Sequence, residues 1–266
     1  DIAGYAEVLR VLSEHRVRAV FHLASQSIAA VAARSPYPTW EANVRGTWTV
    51  LEACRAAREA GEEVERIVVS SSARAYGAPL GRPFREDDPL VPAEPYAVSK
   101  AAADMVARSY AATHELPVAL TRMANTYGGG DLNFSRLVPD ACRALVNGHR
   151  PVLRSDGTPE REVLYVEDAV DAYLAIAASL DEPGNAGRAW NAGSGEAPPV
   201  LDVVRRLIAI SGRQVEPDIQ GDPAEGPDRE AVDSTAIREE LGWSPQWDLD
   251  RGLAATYEWY RERLGG

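Results

Sequence analysis

Two residues four apart, Tyr96 and Lys100 in Tyr96-Ala-Val-Ser-Lys100, have the chemistry for moving a proton at a hydroxyl group. At helical spacing they share one face about a turn apart, and Pro95 suits a helix entry just before them. An ammonium beside a phenol favours the phenolate and lowers the tyrosine pKa, which gives a base able to work near neutral pH. The spacing alone fits a surface tyrosine and a solvated lysine equally well. Ser72 changes that balance. It lies upstream in Ser70-Ser-Ser72-Ala-Arg-Ala-Tyr76-Gly77, directly after an apolar, β-branched run. A hydroxyl at the C-terminal end of a strand can bridge a tyrosine and a substrate hydroxyl, and such strand ends are where open parallel α/β sheets bind ligands. The plainer reading of Ser72 is a turn serine at a strand end.

Positioning these groups requires strands and helices in alternation. Residues 17–24 (VRAVFHLA), 66–71 (RIVVSS) and 118–123 (VALTRM) predict short buried strands. Between them, 40–60 carries Val44, Trp48, Leu51 and Ala53 at helical spacing, and 100–113 carries Ala102, Met105, Val106 and Tyr110. Strand and helix in this order predict an α/β fold with a Rossmann-like parallel sheet. After about residue 130 the texture changes: Gly128-Gly-Gly130, Pro139, Pro151 and Pro159 punctuate shorter segments, and 183–187 and 221–227 read as loops. Residues 249–264 predict a last amphipathic helix with Leu253, Thr256, Tyr257 and Tyr260 on one side. The expected organisation is a partial dinucleotide-binding domain over 1–130, then a smaller α/β substrate-binding lobe over 131–266, some of whose segments return to the first domain.

The 266 residues carry a formal net charge of −12, which argues against nonspecific binding to nucleic acid or to an anionic membrane. An anionic small molecule needs only a local cluster of arginines. No apolar stretch reaches membrane-spanning length and no signal segment opens the chain, so a cytoplasmic location is expected. Cys54 and Cys142 lie far apart, show no metal-ligand spacing and read as reduced thiols in or near the core; no metal is expected. A dinucleotide site usually opens with a strand, a glycine-rich turn and a helix. No such turn stands near residue 1. Gly128-Gly-Gly130-Asp131 comes late, lacks a helix at the right spacing and reads as a loop. Either the chain begins after the first strands of the fold, which accounts for more of the sequence, or it lacks an intact dinucleotide site.

The motifs in series resemble the extended short-chain dehydrogenases that epimerise or dehydrate nucleotide sugars. The resemblance runs through Asp1-Ile2, Phe21-His-Leu-Ala-Ser25, Asn43-Val-Arg-Gly-Thr47, the Ser70 and Tyr96 segments, Arg122-Met-Ala-Asn125-Thr-Tyr-Gly128, Arg136-Leu-Val-Pro139, Arg161-Glu-Val-Leu-Tyr-Val-Glu-Asp168, Asp233-Ser-Thr, Leu241-Gly-Trp243 and Trp259-Tyr260. It implies NAD as cofactor, with NADP open, held by Asp1, Ile2, Leu23, Ala24, Ser25, Asn43, Ser70, Ser71, Tyr96 and Lys100. It implies a nucleotide-diphosphate sugar as partner, bound by Ser72, Asn125, Arg136, Leu137 and Arg161, and catalysis by Ser72, Tyr96 and Lys100. Arg161 also reads as a surface ion pair, Arg122 as a structural salt bridge, and His22 as a packing residue near the cofactor. A homodimer through the helices of Trp48 and Tyr96 is implied as well.

The family's dehydratases place an acid and a base directly after the catalytic hydroxyl. Here those positions are Ala73 and Arg74. Alanine has no proton to give and arginine stays charged, so the pattern favours a 4-epimerase. Gly129-Gly-Asp131, the Arg136 segment and Arg154-Ser-Asp-Gly157 instead resemble the CDP-glucose 4,6-dehydratase branch. A non-catalytic nucleotide-sugar-binding relative is the third reading.

Overall fold

A computed structural model describes residues 1–222 and 228–265; of the loop expected at 221–227, residues 223–227 lie outside the described residues. The chain opens with helix α1 (Tyr5–Glu14) and strand β1 (Ala19–His22). A helical stretch follows in pieces: α2 (Ala29–Arg34), α3 (Tyr37–Thr39), a π turn at Trp40–Arg45, and α4 (Gly46–Glu59). Strand β2 (Arg66–Ser70) runs into a 3-10 turn, Ala73–Tyr76, and is followed by α5 (Pro95–His114), β3 (Val118–Met123) and β4 (Asn125–Tyr127). The second half carries α6 (Leu137–Val146), β5 (Val152–Leu153), β6 (Glu160–Arg161), β7 (Val163–Tyr165), α7 (Val166–Ser179), β8 (Ala189–Ala192), α8 (Val200–Ser211), β9 (Asp218–Ile219), β10 (Arg229–Glu230), α9 (Thr235–Leu241) and α10 (Leu249–Leu264).

The three predicted strands and β8 form the main, four-stranded sheet. Its order is β1-β2-β3-β8 and every pairing is parallel. One face packs on α1, α4 and α5 through Leu12, Leu51, Cys54, Ile67 and Leu120; the other packs on α7 and α9 through Ile176, Trp190, Ile237 and Trp243. A separate core joins α6, α8 and α10 through Cys142, Leu145, Val203, Leu207, Leu253 and Tyr260. Both cysteines are buried and free, and burial pushes each thiol up to about 12. The tail helix buries the residues its spacing predicts: Leu253, Thr256, Tyr257 and Tyr260. Among the described residues no helix is long and apolar enough to cross a membrane.

Two expectations about faces are corrected. The 17–24 run is not a buried strand: β1 pairs only with β2 among the described residues, and Phe21 is left exposed. On α5 the apolar stripe is packed only in part: Val106 and Tyr110 reach the core, and Met105 does not. Met105 is 57% exposed, whereas Ala97, Ser99, Lys100, Ala101, Ala103, Asp104 and Ala107 face inward. Alanines let the helix approach closely, and the buried polar groups each have a partner, which removes the usual cost of burying them. Hydrophobic periodicity cannot see a face built this way.

The strongest of those partnerships is a salt bridge sealed in the core. Arg122 on β3 and Asp104 on α5 are 1% and 0% exposed and meet in a two-pronged contact at 2.9 and 3.0 Å. The guanidinium also donates to the Tyr76 hydroxyl at 3.1 Å and to the Glu86 carbonyl at 3.0 Å. This settles Arg122 as structural. Asp104→Ala strands a buried cation and is expected to destabilise the fold by about 3–5 kcal/mol, whereas joint replacement by Asp104→Leu and Arg122→Met restores most of the loss, as read by urea unfolding.

Candidate active site

The residues expected to be catalytic gather at the C-terminal end of β2 and the start of α5. Strand β2 delivers Ser70 and Ser71, and the extended backbone of Ser72 then caps the 3-10 turn, its hydroxyl accepting from the Arg74 N–H at 3.2 Å. Pro95 starts α5, so Tyr96 sits in the first turn and Lys100 one turn further in. The Ser72 hydroxyl stands close enough to the Tyr96 phenol to favour its ionised form. Burial pushes that phenol's pKa up; the Ser72 hydroxyl and the charges of Arg136 and Arg74 oppose the rise, and Glu230 adds to it. Spacing alone gives the lowering to Lys100. In the structure its ammonium instead donates to the Ser70 carbonyl at 2.8 Å, and burial brings its pKa down to about 8. It therefore keeps its charge at neutral pH.

Behind the pair lies a hydrogen-bond chain that fixes the start of α5. Asn43, buried in the π turn, donates to the Ser99 hydroxyl at 2.9 Å and to the Gln26 carbonyl at 3.0 Å, and accepts from the Gln26 N–H at 2.7 Å. Ser99 in turn donates to the Tyr96 carbonyl at 2.7 Å. A π turn at such a place is a common device for aiming a functional side chain. Asn43 is thus placed behind Tyr96, with its own polar atoms already engaged.

The other residues expected at the cofactor fall in two places. Asp1, Ile2, Leu23 and Ala24 line a hollow of about 480 Å³ along the free edge of β1. Ser25, partly buried, follows them towards Gln26, while Ser70 and Ser71 sit beside Lys100. These groups fit the nicotinamide end of NAD: one of three Lys100 donors is taken by Ser70, and the buried Ser71 hydroxyl has no partner among the described residues. His22 is buried, and its Nε2 lies 3.0 Å from the Thr47 hydroxyl. That hydroxyl gives its own proton to the Asn43 carbonyl at 2.6 Å, so Nε2 donates. The ring packs against Thr47 at the wall of the same hollow.

Of the five residues expected at the substrate, four line one cleft of about 560 Å³, and Ser72 is not in its lining. Asn125, Arg136, Leu137 and Arg161 all contribute, joined by Arg74 and Arg154. Each cationic side chain but Arg154 has an acidic partner among the described residues. Arg136 pairs with Asp131 at 3.1 Å, Arg161 with Asp228 at 2.6 Å, and Arg74 with Glu94 at 3.7 Å and Glu230 at 3.6 Å. Arg161 is thus the ion pair of its plainer reading, and it also forms part of the cleft wall. Its guanidinium also donates to the Glu160 and Asp228 carbonyls, both at 2.8 Å. Gly128-Gly-Gly130 is a loop, as its spacing predicts; Gly129 lies where a Cβ would stand 2.5 Å from the Trp259 ring. The sequence offered no sign of Glu230 or Asp228, which stand near a two-residue strand without a pattern, while Arg74 and Ser99 stood inside motifs read for other residues.

The chain matches the NAD dependent epimerase/dehydratase family over residues 1–193 and belongs to it. It is 33% identical to a UDP-glucose 4-epimerase of Azospirillum brasilense over 97% of this chain and 77% of the relative. It is 36% identical to a dTDP-glucose 4,6-dehydratase of Streptomyces griseus over 91% and 71% respectively. Among solved structures, a UDP-glucose 4-epimerase of Thermotoga maritima with UDP-glucose superposes with a TM-score of 0.88 at 28% identity, covering 99% of this chain and 84% of that one. The fold is therefore Rossmann-like, and the protein is an enzyme class member whose family depends on NAD.

The site yields a pH prediction. Burial first, then the Lys100 charge, holds His22 at about 4 instead of 6.5. Between those values the unfolded chain takes a proton that the folded protein refuses. Stability present above pH 6.5 is therefore lost as pH falls towards 4, by at most about 3 kcal/mol. His22→Gln is expected to flatten that part of a urea-unfolding pH profile.

Proposed function

We propose that this protein is an NAD-dependent nucleotide-sugar 4-epimerase, with residues 1–130 and the returning β8, α7 and α9 serving the cofactor and the α6, α8 and α10 lobe serving the substrate. The observation that carries it is the pairing of Tyr96 with Ser72 next to Arg74, which bonds Ser72 and lines the arginine cleft, with no carboxyl group directly after Ser72. When bound, NAD accepts a hydride from sugar C4 and returns it. Tyr96, once ionised, takes the C4 hydroxyl proton; Ser72 hydrogen-bonds the same oxygen; Lys100 holds the ribose and keeps positive charge next to the site. Asn125, Arg136 and Arg161 hold the diphosphate. Arginine suits this through its planar fork, and the diphosphate replaces the acidic partners Asp131 and Asp228.

A 4,6-dehydratase must also remove the C5 proton and expel the C6 hydroxyl, which requires an acid and a base. Ala73 is buried and has no proton to give, and Arg74 is held by two glutamates. The identity to the Streptomyces griseus dehydratase is what keeps this second reading in play. The exposed Trp48 and Met105 on the neighbouring α4 and α5 support a homodimer through those helices.

An NMR time course with supplied UDP-, dTDP-, GDP- and CDP-glucose checks the reaction. A C4 epimer that keeps its C6 oxygen is expected, and a 4-keto-6-deoxy product would overturn the epimerase reading. Tyr96→Phe is expected to lower kcat by roughly 10²–10⁴-fold while substrate binding persists.

A further inference from the structure

Beside Asn125 and Arg74, two residues of the arginine cleft, stands a carboxylate that the proposed reaction does not use. Glu230 ends β10, in parallel register with Arg161 on β6. Its backbone is fixed: its carbonyl accepts the Glu162 N–H at 2.9 Å, and the buried Glu162 carboxylate accepts the Val232 N–H at 2.8 Å, two residues on. The Glu230 side chain is 14% exposed. Asn125 donates to its Oε1 at 3.2 Å, Arg74 stands 3.6 Å from its Oε2, and its charge acts on the Tyr96 phenol. One carboxylate therefore neighbours both the base and Asn125, a wall of the cleft. A ligand with its phosphates at Arg161 and its sugar at Tyr96 has to lie across it.

The local charge is unbalanced. Among the described residues Arg74 is the single cation paired with two carboxylates, Glu94 and Glu230, and it touches both at 3.6–3.7 Å, beyond hydrogen-bond length. Among the described residues Oε2 accepts no hydrogen bond, so it remains open to a donor. A neutral hexose offers hydroxyl donors, and hydrogen bonds to an ionised acceptor are the strong kind. A second carboxylate brought to this place meets a like charge, which costs several-fold to many-fold in affinity.

We propose that Glu230 is a specificity-determining residue: its carboxylate selects nucleotide sugars with an uncharged, hydroxyl-bearing hexose and turns away those whose sugar carries a carboxylate. This rests on the nucleotide-sugar reading of the cleft. The test is calorimetric binding to the NAD-loaded full chain of UDP-, dTDP-, GDP- and CDP-linked glucose and glucuronate, with each nucleoside diphosphate alone as the probe of fold and phosphate contacts. Wild type should bind the glucose ester at least about tenfold tighter than the glucuronate. Glu230→Gln should collapse that ratio by improving the glucuronate, and Glu230→Asp, which keeps the charge, should preserve it. If the nucleotides bind but the ratio is near one in wild type, or is the same in Glu230→Gln, the role of Glu230 is overturned and the nucleotide-sugar reading stands. If no nucleoside diphosphate or sugar ester binds, the nucleotide-sugar reading fails and takes this one with it.

Discussion

The arrangement of the site depends on the sealed pair of Arg122 and Asp104. One partner belongs to the central strand β3 and the other to α5, so the pair fixes how far along the sheet the helix of Tyr96 and Lys100 can sit. The same guanidinium reaches Tyr76, at the end of the turn that Ser72 begins, and Tyr76 donates onward to Asn191 on β8 at 2.7 Å. One buried cation thus ties together the elements that bring the phenol and the serine hydroxyl into contact. An apolar pair of equal volume packs as well, or better, by energy alone. What the charged pair adds here is direction: a two-pronged contact with a third bond to Tyr76 leaves little freedom to slide.

Around that fixed frame the site is electrostatically poised. Burial raises the Tyr96 phenol, and Ser72, Arg136 and Arg74 pull it back. Arg136 and Arg74 also line the cleft, so the cations that would meet an anionic ligand are the ones that tune the base. An anion that displaced Asp131 from Arg136 would therefore be coupled to the state of Tyr96. A protein with net charge −12 can hold an anion here because the arginines converge locally.

Much of the fold was legible because β-branched runs and helical spacing obey simple periods. Strands β2 and β3 and the tail helix α10 fall where those periods put them. The failures have physical causes. Helix α5 turns alanines, Lys100 and Asp104 inward and leaves Met105 outside, because partnered polar groups and small residues pack more closely than its apolar stripe. Strand β1 carries a buried-strand pattern yet has one neighbour among the described residues and an exposed Phe21. At the site, Tyr96, Lys100 and Ser72 were readable as types at a spacing, and Arg136 and Arg161 through family motifs. Asn43 read as a cofactor contact, whereas its bonds run to Ser99 and Gln26. Glu230 and Asp228 had no local pattern, because long-range pairing of β10 with β6 brings them to the cleft.

The central claim is that one ligand spans the arginine cleft and the Tyr96–Ser72 contact at once. A crystal structure of Tyr96→Phe with NAD and a nucleotide sugar tests it most directly. The account predicts the diphosphate on Asn125, Arg136 and Arg161, and a sugar hydroxyl within hydrogen-bond distance of the Ser72 hydroxyl and against the ring at position 96. A sugar directed to solvent, or a diphosphate held away from those arginines, would contradict it.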